Sequence, residues 1–517
     1  MKLSTRLVPL SLTFVFVLSA PPAHAGGPSI VLDPASGPPT GTVDVTGQGF
    51  ALAETVALTM GPVFLGSAIT DGSGSFFTTI TIPAGARPGS RLVNAEGETS
   101  GLTAQAPFLV RTNWTQFGYD DDHTRLNPYE NVLNPRTVRR MQLDWQAQLG
   151  SPVFGSSPAV VDGVAYIGSS EGSLWAVDAN GCGSDLCTQP LWRGDLGAQT
   201  LSSPTVANGL VYIGSQTSFS NNDGKLDVFD VDGCGQAVCQ PLWKGLAGTS
   251  SGLESSPAVT ADMAYIASYD GHLFAFAANG CGQALCPPVW RGFLGGPSDS
   301  SPMVHDGVVY VGATDGKLYA FDASGCGAAD CQALWTGSVG PSSVFQGSPA
   351  IANGLVYIAS QKKLGAFLVG GCGQPTCQPA WRSDAGIDFF NGSPAVYKNR
   401  LFIPLENDLA VFDANGCGQA ACSPLYRDFA GGAQASIISS PALANGVVYA
   451  GRNTAEVIAW KAVGCGQAFC ASIWKGITND QVVDSSPAIV NGKLYIGSTD
   501  KFFPESISGR LYVFDLP

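Results

Sequence analysis

The dipeptide Ser-Pro recurs along the chain with its proline at Pro158, Pro204, Pro257, Pro302, Pro349, Pro394, Pro441 and Pro487, so eight starts lie 45 to 53 residues apart. The stretch from Ser156 to Trp192 shows what fills one interval. It holds a Ser-Ser-Pro start, three alternating apolar runs, two glycine turns, a C-x4-C loop and a closing tryptophan. A fixed period of this length means stacked supersecondary units, and units made of short strands mean propeller blades. The expected fold class is all-β: an eight-bladed β-propeller preceded by a small β-sandwich.

Each interval parses into strands A to D. Strand A follows the Ser-Pro (Ala159–Val161 in blade 1). A two-residue turn comes next: Asp162-Gly163, Asn208-Gly209, Asp306-Gly307, Asn353-Gly354, Asn445-Gly446 or Asn491-Gly492. Such pairs supply the positive φ angles that a type I′ hairpin requires. Strand B reads VAYIGS and its kin, and strand C reads LWAVDA, LDVFDV, LYAFDA and theirs. Strand D carries Trp192, Trp243, Trp290, Trp335, Trp381, Tyr426 or Trp474. Eight A-B-C sets are present, but only seven D strands follow a strand C. The missing one is expected from Leu143–Leu149, whose Trp145 matches the other strand D aromatics. A ring closed in this way pairs both terminal edges in one blade. An aromatic demanded at the same place in every blade reads as packing between blades rather than as a cofactor box.

All fourteen cysteines fall in pairs five positions apart: Cys182/Cys187, Cys234/Cys239, Cys281/Cys286, Cys326/Cys331, Cys372/Cys377, Cys417/Cys422 and Cys465/Cys470. Residues 1–25 read as a secretory signal, with Lys2 and Arg6 ahead of a short apolar core (Leu7 to Leu18) and an A-x-A site at Ala23-His24-Ala25. Export places the cysteines in an oxidising compartment, so seven local disulfides are expected. The alternative, structural zinc, needs four ligands at one point, and one pair per blade spreads them around a rim. The apolar run is too short to span a bilayer, and no later segment is long enough, so no membrane span is expected. The protein is expected to be exported, to the periplasm, cell surface or medium.

The formal charge is −14, with 13% charged residues. An acidic surface argues against nucleic acid and anionic membranes as partners, because both need a basic patch. It otherwise serves solubility.

Residues 27–111 lack cysteine and differ in texture. Ser29–Leu32, Thr42–Thr46, Thr55–Thr59, Ser75–Ile82, Arg91–Asn94 and Pro107–Val110 alternate or cluster apolar residues at strand length, separated by Gly/Pro/Asp turns. About seven antiparallel strands in a small sandwich are expected. The run SGPPTGTVDVTGQGFALAETVAL resembles the immunoglobulin-like (IPT/TIG-type) modules of bacterial surface proteins. Residues 112–142 form a lead-in. Its Asp120-Asp121-Asp122-His123 cluster is read as a solvated loop wrapping the propeller, against a cation site. Trp114, Phe117-Gly118, Asp120 and Asn127-Pro128 resemble the opening of pyrroloquinoline quinone (PQQ)-repeat proteins.

Residues 143–517 as a whole resemble the PQQ-like β-propeller family: Ser-Ser-Pro, then Tyr-Ile/Val-Gly, then Gly-x-Leu-x-Ala-x-Asp, then Leu-Trp. The family's usual Thr-Gly turn between strands C and D is replaced here by Gly-Cys-Gly-x4-Cys. The resemblance implies two functional classes, quinone-dependent alcohol dehydrogenases and cofactor-free scaffolds such as the outer-membrane assembly lipoprotein. Fold does not choose between them.

The departures from the repeat hold whatever chemistry exists. Three positions before each Ser-Pro proline, near the expected ring axis, stand Gly155, Leu201, Glu254, Asp299, Gln346, Asn391, Ile438 and Asp484. Phe345, Phe389 and Phe390 lie beside two of them. Oxygen ligands at an axial mouth, with aromatic faces nearby, are the donors that Ca²⁺ and a planar ligand require. The resemblance to the dehydrogenases implies Glu254, Asn391 and Asp484 as calcium ligands, Asp299 as catalytic base, and the three phenylalanines against PQQ. The opposing expectation is that polar residues line any wet propeller channel. No C-x-x-C-H haem motif and no G-x-S-x-G elbow occurs, and blade spacing is too tight for a long covering insertion. The favoured expectation is an exported binding or scaffold protein whose protein or glycan ligand sits on a propeller face. The alternative is a PQQ- and calcium-dependent dehydrogenase of alcohols or sugars, and an inert wall or adhesin spacer is a third.

Overall fold

The computed structural model describes residues 27–216, 223–249, 252–339, 347–360, 363–383, 392–405, 407–429, 436–478, 480, 485–500 and 508–517. The chain divides into two compact units: the first ends at Phe108 and includes Thr42–Thr81 and Ser90–Phe108, and the second is Ser36–Gly41, Ile82–Gly89 and Leu109–Pro517.

The first unit contains a three-stranded sheet, ordered Ser29–Asp33, Thr42–Gln48, Phe76–Thr81. A second sheet runs Ser36–Gly37, Thr103–Val110, Gly89–Gly97, Thr55–Met60, Val63–Ile69. Strict alternation in Thr42–Gln48 buries Val43 and Val45 while the residues between them face solvent. Val63–Ile69 is a strand that the sequence pattern misses. It is an edge strand with no fully buried residue, so it has no apolar alternation to read.

The second unit contains eight further sheets. In blade 1 strands A to D are Ala159–Val161, Val164–Ser169, Ser173–Asp178 and Trp192–Asp195. In blade 7 they are Ala442–Ala444, Val447–Arg452, Glu456–Lys461 and Trp474–Ile477. Blade 8 takes Ala488–Val490, Lys493–Thr499 and Gly509–Asp515 from the C-terminus and Gln142–Gln148 from upstream of blade 1. That borrowed strand pairs antiparallel with Gly509–Asp515, Gln142 opposite Asp515 and Gln148 opposite Arg510. The six Asp-Gly and Asn-Gly turns take positive φ at both residues, as a type I′ hairpin demands.

Closure is written in one hydrogen-bond circuit. The serine before each Ser-Pro proline donates its backbone N–H to the hydroxyl of the matching serine in the next blade. The order is Ser157, Ser203, Ser256, Ser301, Ser348, Ser393, Ser440, Ser486 and back to Ser157, at 2.8–3.0 Å. All eight are buried, where an unpaired polar group is costly, so each serine is fixed by its neighbour. The serine one residue earlier (Ser156, Ser202, Ser255, Ser300, Ser439, Ser485) accepts from the N–H twelve residues on, at the end of strand B.

At the rim, every C-x4-C pair is a disulfide with Cα atoms 5.6–5.7 Å apart: Cys182–Cys187, Cys234–Cys239, Cys281–Cys286, Cys326–Cys331, Cys372–Cys377, Cys417–Cys422 and Cys465–Cys470. No cysteine is left free for a metal or for catalysis. Only the first cysteine of each pair is exposed. The second, at Cys187, Cys239, Cys286, Cys331, Cys377, Cys422 and Cys470, is buried. The reason is that the stapled loop does more than turn. Its end, including the second cysteine, forms a short strand that pairs in parallel with strand D of the preceding blade, which draws that cysteine into the sheet. Thus Leu186–Cys187 pairs with Gln146–Ala147, and Val238–Cys239 with Arg193–Gly194. The same register places Cys286 opposite Gly245, Cys331 opposite Gly292, Cys377 opposite Gly337, Cys422 opposite Ser383 and Cys470 opposite Asp428. The first glycine of each Gly-Cys-Gly lies against the strand D aromatic of the preceding blade. A Cβ there would lie 2.7–3.0 Å from the ring, from Gly181 on Trp145 round to Gly464 on Tyr426, so only glycine fits. The aromatic set is therefore packing between blades.

Strand B tyrosines tie the same junctions. Tyr166, Tyr212, Tyr265, Tyr310, Tyr357 and Tyr495 each donate their hydroxyl to a backbone carbonyl of the next blade, the last reaching Ala179 of blade 1. Blade 6 has Phe402 at this position, and the carbonyl left over, Ala462 O, accepts instead from Tyr426, which stands where other blades have tryptophan. The exception is Tyr449 of blade 7, whose buried hydroxyl has no partner.

Candidate functional site: two unlike faces of one propeller

Strands A line the axis, and their inward edges must be satisfied. On the face bearing the A–B turns, the lead-in does this. Trp114 and Val160 exchange backbone hydrogen bonds, and Val206 N–H donates to Thr115 O. Ile351, Val396 and Leu443 donate to the carbonyls of Asp122, Thr124 and Arg125. The buried amide of Asn127 reaches Ile489 O at 2.8 Å. Asp122 contacts His305 at 2.6 Å, and buried His123 bonds Pro349 O through Nδ1. Blades 1, 2, 4, 5, 6, 7 and 8 are thereby capped by one segment. The acidic run is less solvated than its composition indicates. Asp121 is exposed, but Asp120 accepts from Thr124 N–H and hydroxyl, and burial pushes its carboxyl up to about 6. Arg125 is buried over Phe117, its guanidinium carbon 4.1 Å from the ring centre, and burial lowers it to about 9.

The opposite face carries the D–A and B–C connections. Of the residues singled out there, Phe345, Phe389, Phe390, Asn391, Gln346 and Asp484 lie outside the described residues. Gly155, Leu201, Glu254, Asp299 and Ile438 are described. Gly155 has φ +70°, and a Cβ on it would stand 2.6 Å from Leu201 O, so blade 1 is held to glycine by backbone approach. Asp299 is held by a residue that the sequence reading missed, Tyr269 in the B–C turn of blade 3, on which the charge of Glu254 also bears. Its hydroxyl donates to Asp299 Oδ2 at 3.4 Å, while Asp299 Oδ1 is buried with no hydrogen-bond partner. Burial raises the Asp299 carboxyl, and the Tyr269 phenol is raised by burial and by the charges of Asp299 and Glu254. Beneath them Gln216 is fully buried with an unpaired amide nitrogen, and Gly252 leaves room for it, since a Cβ would stand 2.2 Å from Gln216 Oε1. The one trace of Tyr269 in the sequence is a departure from the repeat, because the B–C turns of blades 1 and 4 open on Ser170 and Thr314.

Among the described residues no three of His, Cys, Asp and Glu are grouped to hold a metal ion. Glu254 and Asp299 bear on a phenol, and by themselves they do not make a calcium site. Of the residues in the expected calcium and PQQ site, only Glu254 and Asp299 are among those described.

Other polar groups break the repeat inside the blades. Asp227 stands in strand C of blade 2 where blades 1, 3, 4 and 8 have Trp175, Phe274, Tyr319 and Tyr512, and it is fully buried, with Lys244 at 2.8 Å and Ser215 at 2.5 Å. Asp428, in strand D of blade 6 (Tyr426–Phe429), is buried with neither carboxylate oxygen hydrogen-bonded, and burial pushes it up to about 8. In blade 7, buried Arg452 pairs with Glu456 at 2.6 Å, and Lys475 joins from the other side at 2.7 Å. The ion pairs satisfy buried charge within single blades, which marks them as structural.

A family model described as outer membrane protein assembly factor BamB matches residues 142–280, 236–367 and 288–516. No curated protein sequence matches the chain. Among solved structures, the fold is similar to quinohemoprotein alcohol dehydrogenase from Comamonas testosteroni (13% identity, 78% of this chain and 80% of that one, TM-score 0.59). It is also similar to BamB from Moraxella catarrhalis (15%, 72% and 97%, 0.54) and to a europium-containing methanol dehydrogenase (12%, 78% and 98%, 0.53). At these identities the structural likenesses speak for the fold, whereas the repeat match spans well over half of the sequence. On that ground the chain belongs to the BamB-type family of PQQ-like repeat proteins.

Proposed function

We propose that this is an exported binding or scaffold protein, in which residues 1–25 are a signal peptide, 27–111 an immunoglobulin-like module, 112–142 a strap and 143–517 a stapled eight-bladed platform. Seven disulfides suit a non-cytoplasmic compartment. No described helix is long and apolar enough to cross a membrane. The observation that carries the reading is the asymmetry of the two faces. The strap caps the axis on the A–B side, while on the other side the serine circuit is constant and the residues beside it vary from blade to blade. A constant frame with variable, blade-specific side chains is how a rigid scaffold displays a recognition surface. Glu254, Tyr269 and Asp299 form its most chemically pronounced described patch, an aromatic between carboxylates that suits hydroxyl- or amine-bearing ligands such as a glycan or a lysine-rich loop.

The test is binding of the mature protein to glycan and peptide arrays, beside the variants Tyr269→Ala and Asp299→Ala. The reading requires a ligand whose signal falls in both variants while their melting temperatures hold. Dye-linked dehydrogenase activity on added PQQ and Ca²⁺, with quinone absorption retained after gel filtration, replaces it with the dehydrogenase reading. That reading draws on the likeness to the two dehydrogenases.

A further inference from the structure

The strap buries a cation and pairs no carboxylate with it. Arg125 hangs from blade 7, where its carbonyl accepts from Leu443 N–H. Its guanidinium reaches back to Phe117 O at 3.2 Å, in the loop that carries the strap from Thr115 on blade 2 across to Asp122 on blade 5. The residue is 1% exposed, and its Nε and Nη2 atoms have no hydrogen-bond partner. Asp120 is the acid that bears on it, and both Asp120 oxygens already accept from Thr124. Burial lowers the guanidinium to about 9, so it still holds its proton at neutral pH. A buried charge with unpaired N–H groups is costly until something accepts from them.

The surroundings add donors faster than acceptors. Each hydroxyl of the serine circuit accepts one backbone N–H, and none of the eight has an acceptor for its own proton among the described residues. Seven of the eight serines keep 3–5% of their surface open, whereas Ser156, Ser202, Ser255, Ser300, Ser439 and Ser485, one residue earlier, keep none. A space about one water wide therefore runs beside the circuit. His123 links it to the cation. The buried imidazole, which the charge of Arg125 helps to keep neutral, donates Nδ1–H to Pro349 O at 3.2 Å, next to Ser348 of the circuit, and leaves Nε2 as an acceptor. Water donates as much as it accepts, so a group of surplus donors is better matched by a species that only accepts. The loop also needs holding. Tyr119, His123 and Arg125 have φ of 77°, 50° and 58°, a conformation that residues other than glycine keep only where their surroundings impose it.

We propose that the axial space between the strap and the serine circuit is a binding site for one small inorganic anion of the halide class, held by the Nε–H and Nη2–H of Arg125 with circuit hydroxyls as further donors, directly or through water. Charge-assisted hydrogen bonds supply the affinity, and the narrowness of the space admits a halide, close to water in size, in preference to phosphate or sulfate. The anion gives Arg125 its counter-charge and pins the strap across the axis. The site is independent of the recognition patch around Tyr269 and does not rest on it.

The probe is sodium chloride, exchanged against sodium gluconate at constant ionic strength, with the intact mature protein unfolded by urea. Chloride should stabilise the wild type saturably, lowering the unfolding equilibrium constant about tenfold once it stands about tenfold above half-saturation. Arg125→Met keeps an apolar stem against Phe117 and removes the charge and its donors, so the chloride dependence should vanish in it. Wild-type crystals grown in sodium bromide should show an anomalous peak within hydrogen-bond distance of the Arg125 Nε and Nη2 atoms. If Arg125→Met does not fold, the chloride titration and the bromide peak of the wild type carry the test together. A wild type that chloride does not stabilise, or whose Arg125 N–H groups meet water instead of bromide, overturns the proposal. Chloride stabilisation that persists in Arg125→Met also overturns it, because the ion then binds elsewhere. A bromide peak without any effect on unfolding is an adventitious ion only and counts against it as well.

Discussion

The junction between blades 1 and 2 and the junction between blades 7 and 8 do the same job with different parts. At the first, Trp192 lies on Gly233, Tyr166 donates to Val231 O, and the loop stapled by Cys234–Cys239 adds a fifth strand. At the second there is no Cys loop. Trp474 turns over its own strand, where a Cβ on Gly476 would stand 2.5 Å from the indole, and its N–H donates to Met141 O of the lead-in at 2.9 Å. Tyr449 is left without an acceptor. A repeat unit makes its contacts from within its own text, whereas the seam of a closed ring must borrow them. The borrowed segment then continues across the axis, so closing the ring and capping one face are a single act of the chain.

The comparison can be broken hardest at the closing strand. Trp145→Ala removes the buried ring that packs on Gly181, and should cost about 3–5 kcal/mol by denaturant unfolding. Next comes a staple. Replacing Cys465 and Cys470 by Ala should cost about 2 kcal/mol, the chain-entropy value for so short a loop. Any of the seven pairs should give a similar figure, since each closes a loop of the same length and buries the same second cysteine, whereas the 7–8 seam has no staple to lose.

A smaller effect tests the junction of blades 6 and 7. Asp428 stands where the other strands D have Gly194, Gly245, Gly292, Gly337, Ser383, Gly476 and Ala147. Its folded carboxyl, raised to about 8 by burial against a weaker pull from Arg400, binds a proton that the unfolded chain releases near 4. Its contribution to stability is therefore fully present below about pH 4 and is lost as pH rises toward 8. Asp428→Asn should flatten that part of the stability–pH curve and be more stable than the wild type at pH 9, by at least about 1 kcal/mol. The smallest effect sharpens the contrast most. Tyr166→Phe should cost about 1 kcal/mol, the worth of a hydrogen bond, while Tyr449→Phe should cost nothing or stabilise slightly.

Much of this was legible in the sequence because it repeats. The period, the Asn-Gly turns, the cysteine pairs and the orphan strand around Trp145 each follow from a local pattern counted many times over. The fifth strands were not legible, and neither was the burial of Cys286, Cys331, Cys377 and Cys422 that they cause. Two residues such as Val238–Cys239 have no periodicity, and their partner Arg193–Gly194 lies a whole repeat earlier and runs parallel. The strap was half legible. Asp120-Asp121-Asp122 reads as a wet run on charge alone, yet Asp120 and Asp122 spend their oxygens on Thr124 and His305. Nor does spacing disclose Tyr269, because nothing local to a B–C turn tells that Asp299, from a D–A connection, takes its hydroxyl.

The account stands on strand Gln142–Gln148 completing the sheet of Gly509–Asp515. The most direct test is a cysteine pair at Gln142 and Asp515, which lie opposite one another in the register, followed by oxidation and peptide mass mapping of the mature protein. The account predicts one new disulfide joining the two fragments within a monomer, with the seven native pairs unchanged. Free thiols at both positions in folded protein, or a link between two chains only, would contradict it.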